Sequence, residues 1–214
     1  MVLDPYNQTD HPDCKSRPDS GLSGITELDP GYITGPLSSV WKEWIKWCIE
    51  FGIEANAIIA VPYDWRLSPA MLEERDLYFH KLKYVLIFAS GLLLTFETAY
   101  KLRGGPSLVF AHSLGNHVFR YFLEWLKLEI APKHYNEWLD QHIHAYFAVG
   151  APLLGAIETI EATLSGFTFG LPISERSLEV TVVVIGGKAH LFIRTRLEIA
   201  YAMSVVVSQL VHDL

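Results

Sequence analysis

Residues 107–115 read Ser-Leu-Val-Phe-Ala-His-Ser-Leu-Gly, and the fold follows from this stretch. The apolar run at 107–111 has the length and composition of a strand covered on both faces of a sheet. The residues that follow open a helix, so Ser113 is expected in a tight strand-to-helix turn. Small residues stand two positions before and two after it, at Ala111 and Gly115. That spacing is typical of a nucleophile elbow, where chain segments approach too closely for large side chains.

The elbow pattern predicts two catalytic groups. The turn exposes the Ser113 hydroxyl at the C-terminal edge of the sheet. It also places the backbone N–H of Leu114 at a helix N-terminus, where the helix dipole favours a developing oxyanion. The alternative is that Ser113 merely caps the helix, but the strand before it and the helix after it favour the elbow. We therefore predict Ser113 as the nucleophile and the Leu114 N–H as an oxyanion donor.

No base and acid for Ser113 stand out in the sequence. A serine hydroxyl needs a base that an acid orients, and in α/β-hydrolases both follow the serine along the chain. We expect His112 to serve packing or hydrogen bonding, and His117 to point along the helix. Three histidines before the third apolar run are expected at the surface or as caps: His134, His142 and His144. A complete triad that uses His190 or His212, as in a soluble esterase, remains a weaker alternative.

The elements around the elbow predict an α/β protein. Short apolar runs at 57–61 and 145–149 are expected to be buried strands like 107–111. Helices are expected from Ser38 or Ser39 to about Phe51, from the Ser68-Pro69 start to about Arg103, and from the elbow to Ala131-Pro132. The second of these is too long for a connecting helix, so we expect a break near Ser90-Gly91. The alternation predicts a mostly parallel sheet flanked by helices.

Three regions are expected along the chain. Residues 1–37 are rich in Pro, Gly, Asp and Ser and are expected to form an irregular N-terminal segment. Residues 38–175 carry the alternating strands and helices and form the predicted core. Residues 176–214 differ in character and form an apolar tail with no clear termination.

Composition excludes several classes of protein. The chain has 214 residues, of which 50% are hydrophobic and 19% are charged, which excludes disordered and coiled-coil proteins. Its net charge of −7 argues against a nucleic-acid partner, which needs a basic face. Cys14 and Cys48 are the two cysteines, so a disulfide-dense scaffold and a four-cysteine zinc site are excluded. A single disulfide between them remains open.

We expect no metal, cofactor or membrane span. The pair His142 and His144 lacks an identifiable third ligand, and no Gly-rich phosphate-binding loop opens a helix. A transmembrane helix needs about 20 mostly apolar residues, and the runs at 84–94 and 199–211 are shorter. No N-terminal targeting signal is evident. The sequon at Asn7 is interpreted as an unmodified polar turn.

Three motifs in order resemble the lecithin:cholesterol acyltransferase family. They are Pro-Tyr-Asp-Trp-Arg-Leu-Ser-Pro at 62–69, Ala-His-Ser-Leu-Gly-Asn at 111–116 and Gly-Ala-Pro-Leu-Leu-Gly at 150–155. Residues 3–175 look like the plant, sterol-acylating branch of that family. The resemblance implies an α/β-hydrolase fold and transfer of a fatty acyl group from a phospholipid, through an acyl-serine, to a sterol. It also implies a membrane surface as partner, an endomembrane location (endoplasmic reticulum or microsomal), no cofactor, and Ser113 as the nucleophile.

The chain also departs from the family pattern. The family's acid and base lie downstream of the segment matched by 150–155, and its first strand lies upstream of the matched region. Residues 84–93 look like an insertion, and from Arg176 the resemblance ends. We therefore expect a partial α/β-hydrolase fold, as in a fragment or alternatively spliced product. A phospholipase or esterase of the same fold, with water as acceptor, and a non-catalytic truncated fragment remain open alternatives.

Overall fold

A four-stranded sheet with helices packed against it organises the chain in the computed structural model. The structure describes residues 3–4, 8–13, 15, 17–27, 32, 36, 39–83, 87–88, 91–92, 96–155, 178–185, 188–195 and 204–209. For residues 87–88, 91–92 and those from 178 onward, the description covers the backbone.

Helices and strands alternate through the central part of the chain. The helices are α1 (Ser23–Thr26), α2 (Lys42–Glu50), α3 (Pro69–Asp76), α4 (Tyr78–Lys83), α5 (Phe96–Arg103), α6 (Gly115–Glu129) and α7 (Pro132–His142). The strands are β1 (Ile58–Pro62), β2 (Ile87–Phe88), β3 (Gly91–Leu92), β4 (Ser107–His112), β5 (Ile143–Val149), β6 (Leu178–Ile185), β7 (Lys188–Thr195) and β8 (Ser204–Gln209). All three strands predicted from apolar runs are therefore present, as β1, β4 and β5. The prediction that 145–149 is a buried strand is wrong, because β5 lies at the edge of its sheet: none of its residues is buried, and Phe147 and Val149 are 45% and 39% exposed.

The main sheet has the strand order β1-β8-β4-β5. Strands β4 and β5 pair in parallel, with His112 opposite Val149 at their C-terminal ends. Strand β8 lies between β1 and β4 and pairs antiparallel with both, so β1 and β4 run in the same direction. The predicted parallel arrangement of β1, β4 and β5 is thus confirmed. A strand from the C-terminal tail, for which the sequence indicated no place in the core, runs opposite to them within the same sheet.

The helical segment predicted from the Ser68-Pro69 start to about Arg103 was expected to break near Ser90-Gly91, but its first helix already ends at Asp76. Helix α3 ends because Leu77 adopts a left-handed conformation with φ 52°. The Glu73 carboxylate then accepts hydrogen bonds from the N–H groups of Phe79 (2.7 Å) and His80 (3.3 Å), which caps the next helix, α4. Strands β2 and β3 pair as a short antiparallel hairpin before α5 begins. Of the expected break, Ser90 lies outside the described residues and Gly91 begins β3.

The chain continues as a helix after Pro132, where the sequence predicted only an end. Helix α6 does end at Glu129, with Ile130 in an extended conformation. Pro132 then occupies the first turn of α7. Its fixed φ suits a helix there, and the lack of an N–H costs nothing because the first N–H groups of a helix have no acceptor within the helix. The proline thus separates two helices.

Hydrophobic clusters cover both faces of the sheet. On β4, Val109 and Ala111 pack into the larger cluster, together with the fully buried rings of Phe79 and Phe122. Phe110, which points to the opposite face, packs against a smaller cluster formed by Ile25, Trp41, Ile45 and Ile58. The alternation along β4 is what a strand with two covered faces requires. The sheet is therefore flanked by helices on both sides, as expected.

The N-terminal segment is tied to the core by specific contacts. The Leu3 side chain is buried in the larger cluster. Gln8, which has φ 56°, is also buried, and its Oε1 accepts a hydrogen bond of 3.0 Å from the Ser68 N–H. The division of the chain at residues 37 and 175 stays a prediction. Cys48 carries a free thiol, and Cys14 and Asn7 lie outside the described residues.

Candidate active site

Ser113 lies in the turn that joins β4 to α6. It follows the last residue of β4 and stands two positions before the first residue of α6. Its backbone has φ 50°, in the left-handed region that non-glycine residues rarely adopt. Its N–H donates a 3.0 Å hydrogen bond to the Val149 carbonyl at the end of the neighbouring strand β5. The structure thus gives this motif the strand-turn-helix context that an elbow requires.

The Ser113 hydroxyl does not cap the helix. Leu114 occupies the N-cap position of α6, and this helix has no side-chain cap hydrogen bond. Within the part of the chain that the structure describes, neither the Ser113 hydroxyl nor the Leu114 N–H donates a hydrogen bond to another protein group. Ser113 as a whole residue is half-buried. The geometry therefore favours the elbow over the capping alternative and leaves a hydroxyl and a helix-terminal N–H together at one turn.

The side chain of Asn116 joins the turn to β5. Its Nδ2 donates to the Ser113 carbonyl (2.9 Å) and to the Val149 carbonyl (3.3 Å). Its Oδ1 accepts a short hydrogen bond from the Tyr146 hydroxyl. Asn116 is completely buried, and burial raises the pKa of Tyr146, so this hydroxyl stays protonated and able to donate at neutral pH. The sequence motif contained Asn116 without indicating its role, and nothing in the local pattern indicated Tyr146.

The loop after β5 lies against the start of α6. His117 Nε2 donates a 3.0 Å hydrogen bond to the Pro152 carbonyl. Gly150 has φ 52°, and a Cβ added there would lie 3.9 Å from the ring of His112. The motifs at 111–116 and 150–155, which are far apart in sequence, therefore form one site. His117 points to this loop rather than along its own helix, which corrects the sequence-based expectation.

The expectation for His112 is met by packing. Its ring meets the ring of Trp41 edge-on, with centroids 6.2 Å apart. Burial lowers the pKa of His112, which favours the neutral ring at physiological pH. His112 thus packs against Trp41 at the position directly before Ser113.

The other histidines do not supply a base for Ser113 in the described structure. His142, expected at the surface or as a cap, is buried at the last residue of α7, where its Nδ1 donates to the Trp138 carbonyl at 2.8 Å and its ring stacks on the Trp138 ring. His134 and His144 are exposed, as expected. His190 lies in β7, opposite Val183, and its side chain is not described. His212 and Asp213 lie outside the described residues.

The loop that leaves β1 is held by a buried ion-pair network. Asp64 Oδ1 and Oδ2 accept hydrogen bonds from Arg66 Nε (2.8 Å) and Nη2 (2.7 Å), and Arg75 Nη2 lies 3.0 Å from Asp64 Oδ2. Burial alone would raise the pKa of Asp64, but the hydrogen bonds and positive charges of Arg66 and Arg75 outweigh it and hold this pKa below its usual value. Trp65 packs against the larger hydrophobic cluster. The motif at 62–69 therefore has a structural explanation.

A metal centre and a membrane-spanning helix are both without support in the described structure. Among the residues whose side chains are described, no three His, Cys, Asp or Glu groups converge on a position that could hold an ion. His142 and His144 in particular do not converge, since the first is buried and the second is exposed. The helices within the described ranges are all too short or too polar to cross a bilayer.

Comparison with known proteins places the same motifs in one family. A sequence profile of the lecithin:cholesterol acyltransferase family matches residues 1–193. A phospholipid–sterol O-acyltransferase of Arabidopsis thaliana is 82% identical over 175 residues, which cover 82% of this chain and 26% of that protein. A phospholipid:diacylglycerol acyltransferase of Saccharomyces cerevisiae is 29% identical over 169 residues, covering 78% of this chain and 23% of the relative.

Lysosomal relatives carry a second activity in their names. A lysosomal phospholipase A and acyltransferase of Homo sapiens is 32% identical over 147 residues, covering 68% of this chain and 30% of the relative. No solved structure matches the chain. The chain thus spans about a quarter of the length of the Arabidopsis and yeast proteins.

Proposed function

The chain belongs to the lecithin:cholesterol acyltransferase family, and from that premise we propose that Ser113 is the nucleophile of a phospholipid:sterol O-acyltransferase. The observation that carries the proposal is the Ser113 turn. A hydroxyl free of protein partners in the described structure stands beside a free N–H at the start of α6. This is the arrangement that acyl transfer through a tetrahedral intermediate needs.

The reaction proceeds in two acyl transfers. In the first, Ser113 Oγ attacks the ester carbonyl of a phospholipid, the hydroxyl proton passes to a base, and the lysophospholipid leaves with a proton on its alcohol oxygen. The Leu114 N–H stabilises the negative charge that develops on the carbonyl oxygen. In the second, a sterol hydroxyl attacks the acyl-serine and Ser113 is regenerated. The name of the 82% identical plant relative supports a sterol acceptor, whereas the yeast relative, at 29% identity, is named for diacylglycerol.

Water is the competing acceptor. The human relative is named both a phospholipase A and an acyltransferase, which supports hydrolysis beside transfer within the family. A second candidate function for this chain is therefore phospholipase activity at the same serine.

A non-catalytic role is the third candidate, and one structural observation favours it. None of the histidines with described side chains makes a hydrogen bond to the Ser113 hydroxyl. Without a base, a serine hydrolase retains only the small rate enhancement due to binding and oxyanion stabilisation.

We further propose that the protein works at an endomembrane surface, in the endoplasmic reticulum or microsomes. Phospholipid and sterol, the substrates named for the plant relative, are both membrane components, which supports this location. Flotation of the purified chain with phospholipid–sterol vesicles tests the membrane contact, and a chain that stays at the bottom of the gradient refutes it.

Covalent labelling with a fluorophosphonate tests the nucleophile. We expect labelling of the full chain and its loss in Ser113→Ala. Ser107→Ala is the matched control, because Ser107 lies at the other end of β4, is buried, and has no hydrogen-bond partner for its Oγ. Absence of labelling in folded protein, or labelling that survives in Ser113→Ala, refutes the role of Ser113.

A product assay separates the two acceptors. Phosphatidylethanolamine with a labelled acyl chain is incubated with the protein and sterol, and sterol ester and free fatty acid are separated. Sterol ester as the main product supports transfer, whereas free fatty acid alone supports the phospholipase.

A further inference from the structure

We propose that Asn116, held by the Tyr146 hydroxyl, is a positioning residue that orients the Leu114 N–H towards the reacting oxyanion. The inference rests on the proposed function, because orientation of this N–H affects rate only if Ser113 reacts. It assigns a role to two side chains that touch neither the nucleophile's hydroxyl nor the N–H itself.

The Asn116 amide can take only one orientation in its surroundings. The two hydrogens of Nδ2 meet two acceptors, the carbonyls of Ser113 (2.9 Å) and Val149 (3.3 Å). The Oδ1 meets a donor, the hydroxyl of Tyr146. A flipped amide would place Oδ1 against two carbonyl oxygens, which have no hydrogen to donate. Since Asn116 is completely buried, water does not compete for these bonds.

The link from Asn116 to Leu114 runs through one peptide plane. The Ser113 carbonyl and the Leu114 N–H belong to the same planar, trans peptide unit, so they point in opposite directions. Asn116 holds that carbonyl twice, through its own N–H at 3.1 Å and through Nδ2 at 2.9 Å. By fixing where the carbonyl points, Asn116 also fixes where the oxyanion donor points.

Strand β5 supplies the anchor for this arrangement. Tyr146 and Val149 both belong to β5, and the Tyr146 ring packs against Phe119 of α6 with centroids 4.9 Å apart. The Val149 carbonyl accepts from both the Ser113 N–H and Asn116 Nδ2. The unusual backbone of Ser113, with φ 50°, is therefore held at its N–H by Val149 and at its carbonyl by Asn116, which itself bonds to two residues of β5.

The test compares Asn116→Ala and Tyr146→Phe with a matched control. Tyr78→Phe removes a buried tyrosine hydroxyl that donates to the Val61 carbonyl at 3.1 Å, away from the turn. Each full-length variant is treated with a fluorophosphonate over a range of concentrations. Its phosphoryl oxygen occupies the oxyanion position, while a Ser113 Oγ–P bond forms and fluoride leaves. The dependence of the labelling rate on fluorophosphonate concentration gives the maximal labelling rate and the half-saturating concentration separately.

We expect the maximal rate to fall about 100-fold in Asn116→Ala, as when an oxyanion donor is lost. We expect a fall of about tenfold in Tyr146→Phe, where the amide keeps its donors but loses the hydroxyl that fixes it. The half-saturating concentration should stay the same, and Tyr78→Phe should label at the wild-type rate. The inference is overturned if Tyr146→Phe and Asn116→Ala label no more slowly than Tyr78→Phe, or if only the half-saturating concentration changes.

Hydrogen exchange at the turn separates this inference from the proposed function. The Ser113 amide is protected by its bond to Val149, and we expect it to exchange about tenfold faster in Asn116→Ala and Tyr146→Phe than in Tyr78→Phe. If the wild-type chain is not labelled, the proposed function fails and the catalytic part of the inference fails with it, while faster exchange in these two variants alone still shows that Asn116 and Tyr146 hold the turn. Equal exchange in all three variants refutes it. Should Asn116→Ala not fold, Tyr146→Phe carries both measurements.

Discussion

Replacement of Asp64 by asparagine tests how much the buried ion-pair network stabilises the fold. The Asp64 side chain is 4% exposed, and the side chains of Arg66 and Arg75 are 14% and 12% exposed. Asparagine keeps the size of the side chain but removes its charge and one hydrogen-bond acceptor. The Arg66 guanidinium then remains largely buried without this carboxylate, whereas Arg75 keeps Asp76 (2.6 Å) and Asp10 (3.7 Å) as partners.

The expected loss follows from the contacts that the asparagine cannot make. Breaking a buried ion pair by removal of one partner destabilises a protein by about 3–5 kcal/mol, and the slight exposure of both arginines favours the lower end. For a chain of this length, about 3 kcal/mol corresponds to a Tm roughly 6–12 °C lower. Thermal unfolding followed by circular dichroism at pH 7 measures the change.

The pH dependence of this loss has a definite sign. The pKa of Asp64 is lowered in the folded state from its usual 3.8, so its contribution to the free energy of unfolding is fully present above that value. It is lost as the pH falls through the lowered pKa. The difference in Tm between wild type and Asp64→Asn should therefore be constant from pH 7 to about pH 5 and should narrow only below about pH 4.

Glu124→Gln is the control for Asp64→Asn. It breaks an exposed pair with Lys127 on α6, where we expect less than about 1 kcal/mol. If Asp64→Asn lowers the Tm no more than Glu124→Gln does, or if its effect is the same at pH 3 and pH 7, the account of the network is wrong.

Three further changes test other parts of the fold. Gly150→Ala places a methyl group at φ 52°, about 3.9 Å from the His112 ring, so the change brings backbone strain but no clash. We expect the free energy of unfolding, measured in urea, to fall by about 1 kcal/mol. A fall of more than about 3 kcal/mol would contradict this account. Phe122→Ala removes a fully buried ring that contacts Phe79, Phe96 and Trp138. We expect the free energy of unfolding, measured in the same way, to fall by about 3–5 kcal/mol. A fall of less than about 1 kcal/mol would show that the core closes around the cavity. Termination of the chain before Ser204 removes β8 and leaves the facing edges of β1 and β4 unpaired. Because unpaired strand edges promote association between chains, we expect light scattering to show aggregation. A soluble chain with unchanged hydrogen exchange in β4 would show that β8 is dispensable.

Local sequence patterns were sufficient to predict an element wherever residues close together in the chain determine its structure. The apolar runs predicted where β1, β4 and β5 lie along the chain, and for β4 the reason is that a strand covered on both faces must be apolar throughout. The edge strand β5 is apolar as well but is largely exposed. Ser68 and Pro69 predicted the start of α3, where the Ser68 Oγ accepts from the Met71 N–H at 3.4 Å. Small residues around Ser113 predicted its strand-to-helix turn for the same local reason. The three motifs also identified the family.

Other features were not evident from periodicity and propensity. The left-handed Leu77 and the Glu73 cap end one helix and begin another inside a segment of continuous helical pattern, through hydrogen bonds that span only six and seven residues. The place of β8 between β1 and β4 is likewise not visible in its own valine-rich sequence, since such a strand can pair with many edges.

The candidate site divides in the same way. The strand-to-helix turn at Ser113 could be predicted from a few consecutive residues, whereas the group that holds the turn could not. Tyr146 reaches Asn116 across 30 residues of sequence, and it does so because β4 and β5 pair in parallel and bring their C-terminal ends together. Steric contacts between neighbouring residues determine the shape of a turn, so a few consecutive residues are enough to predict it. A buried hydrogen bond between side chains far apart in the sequence forms only once the sheet has brought them together.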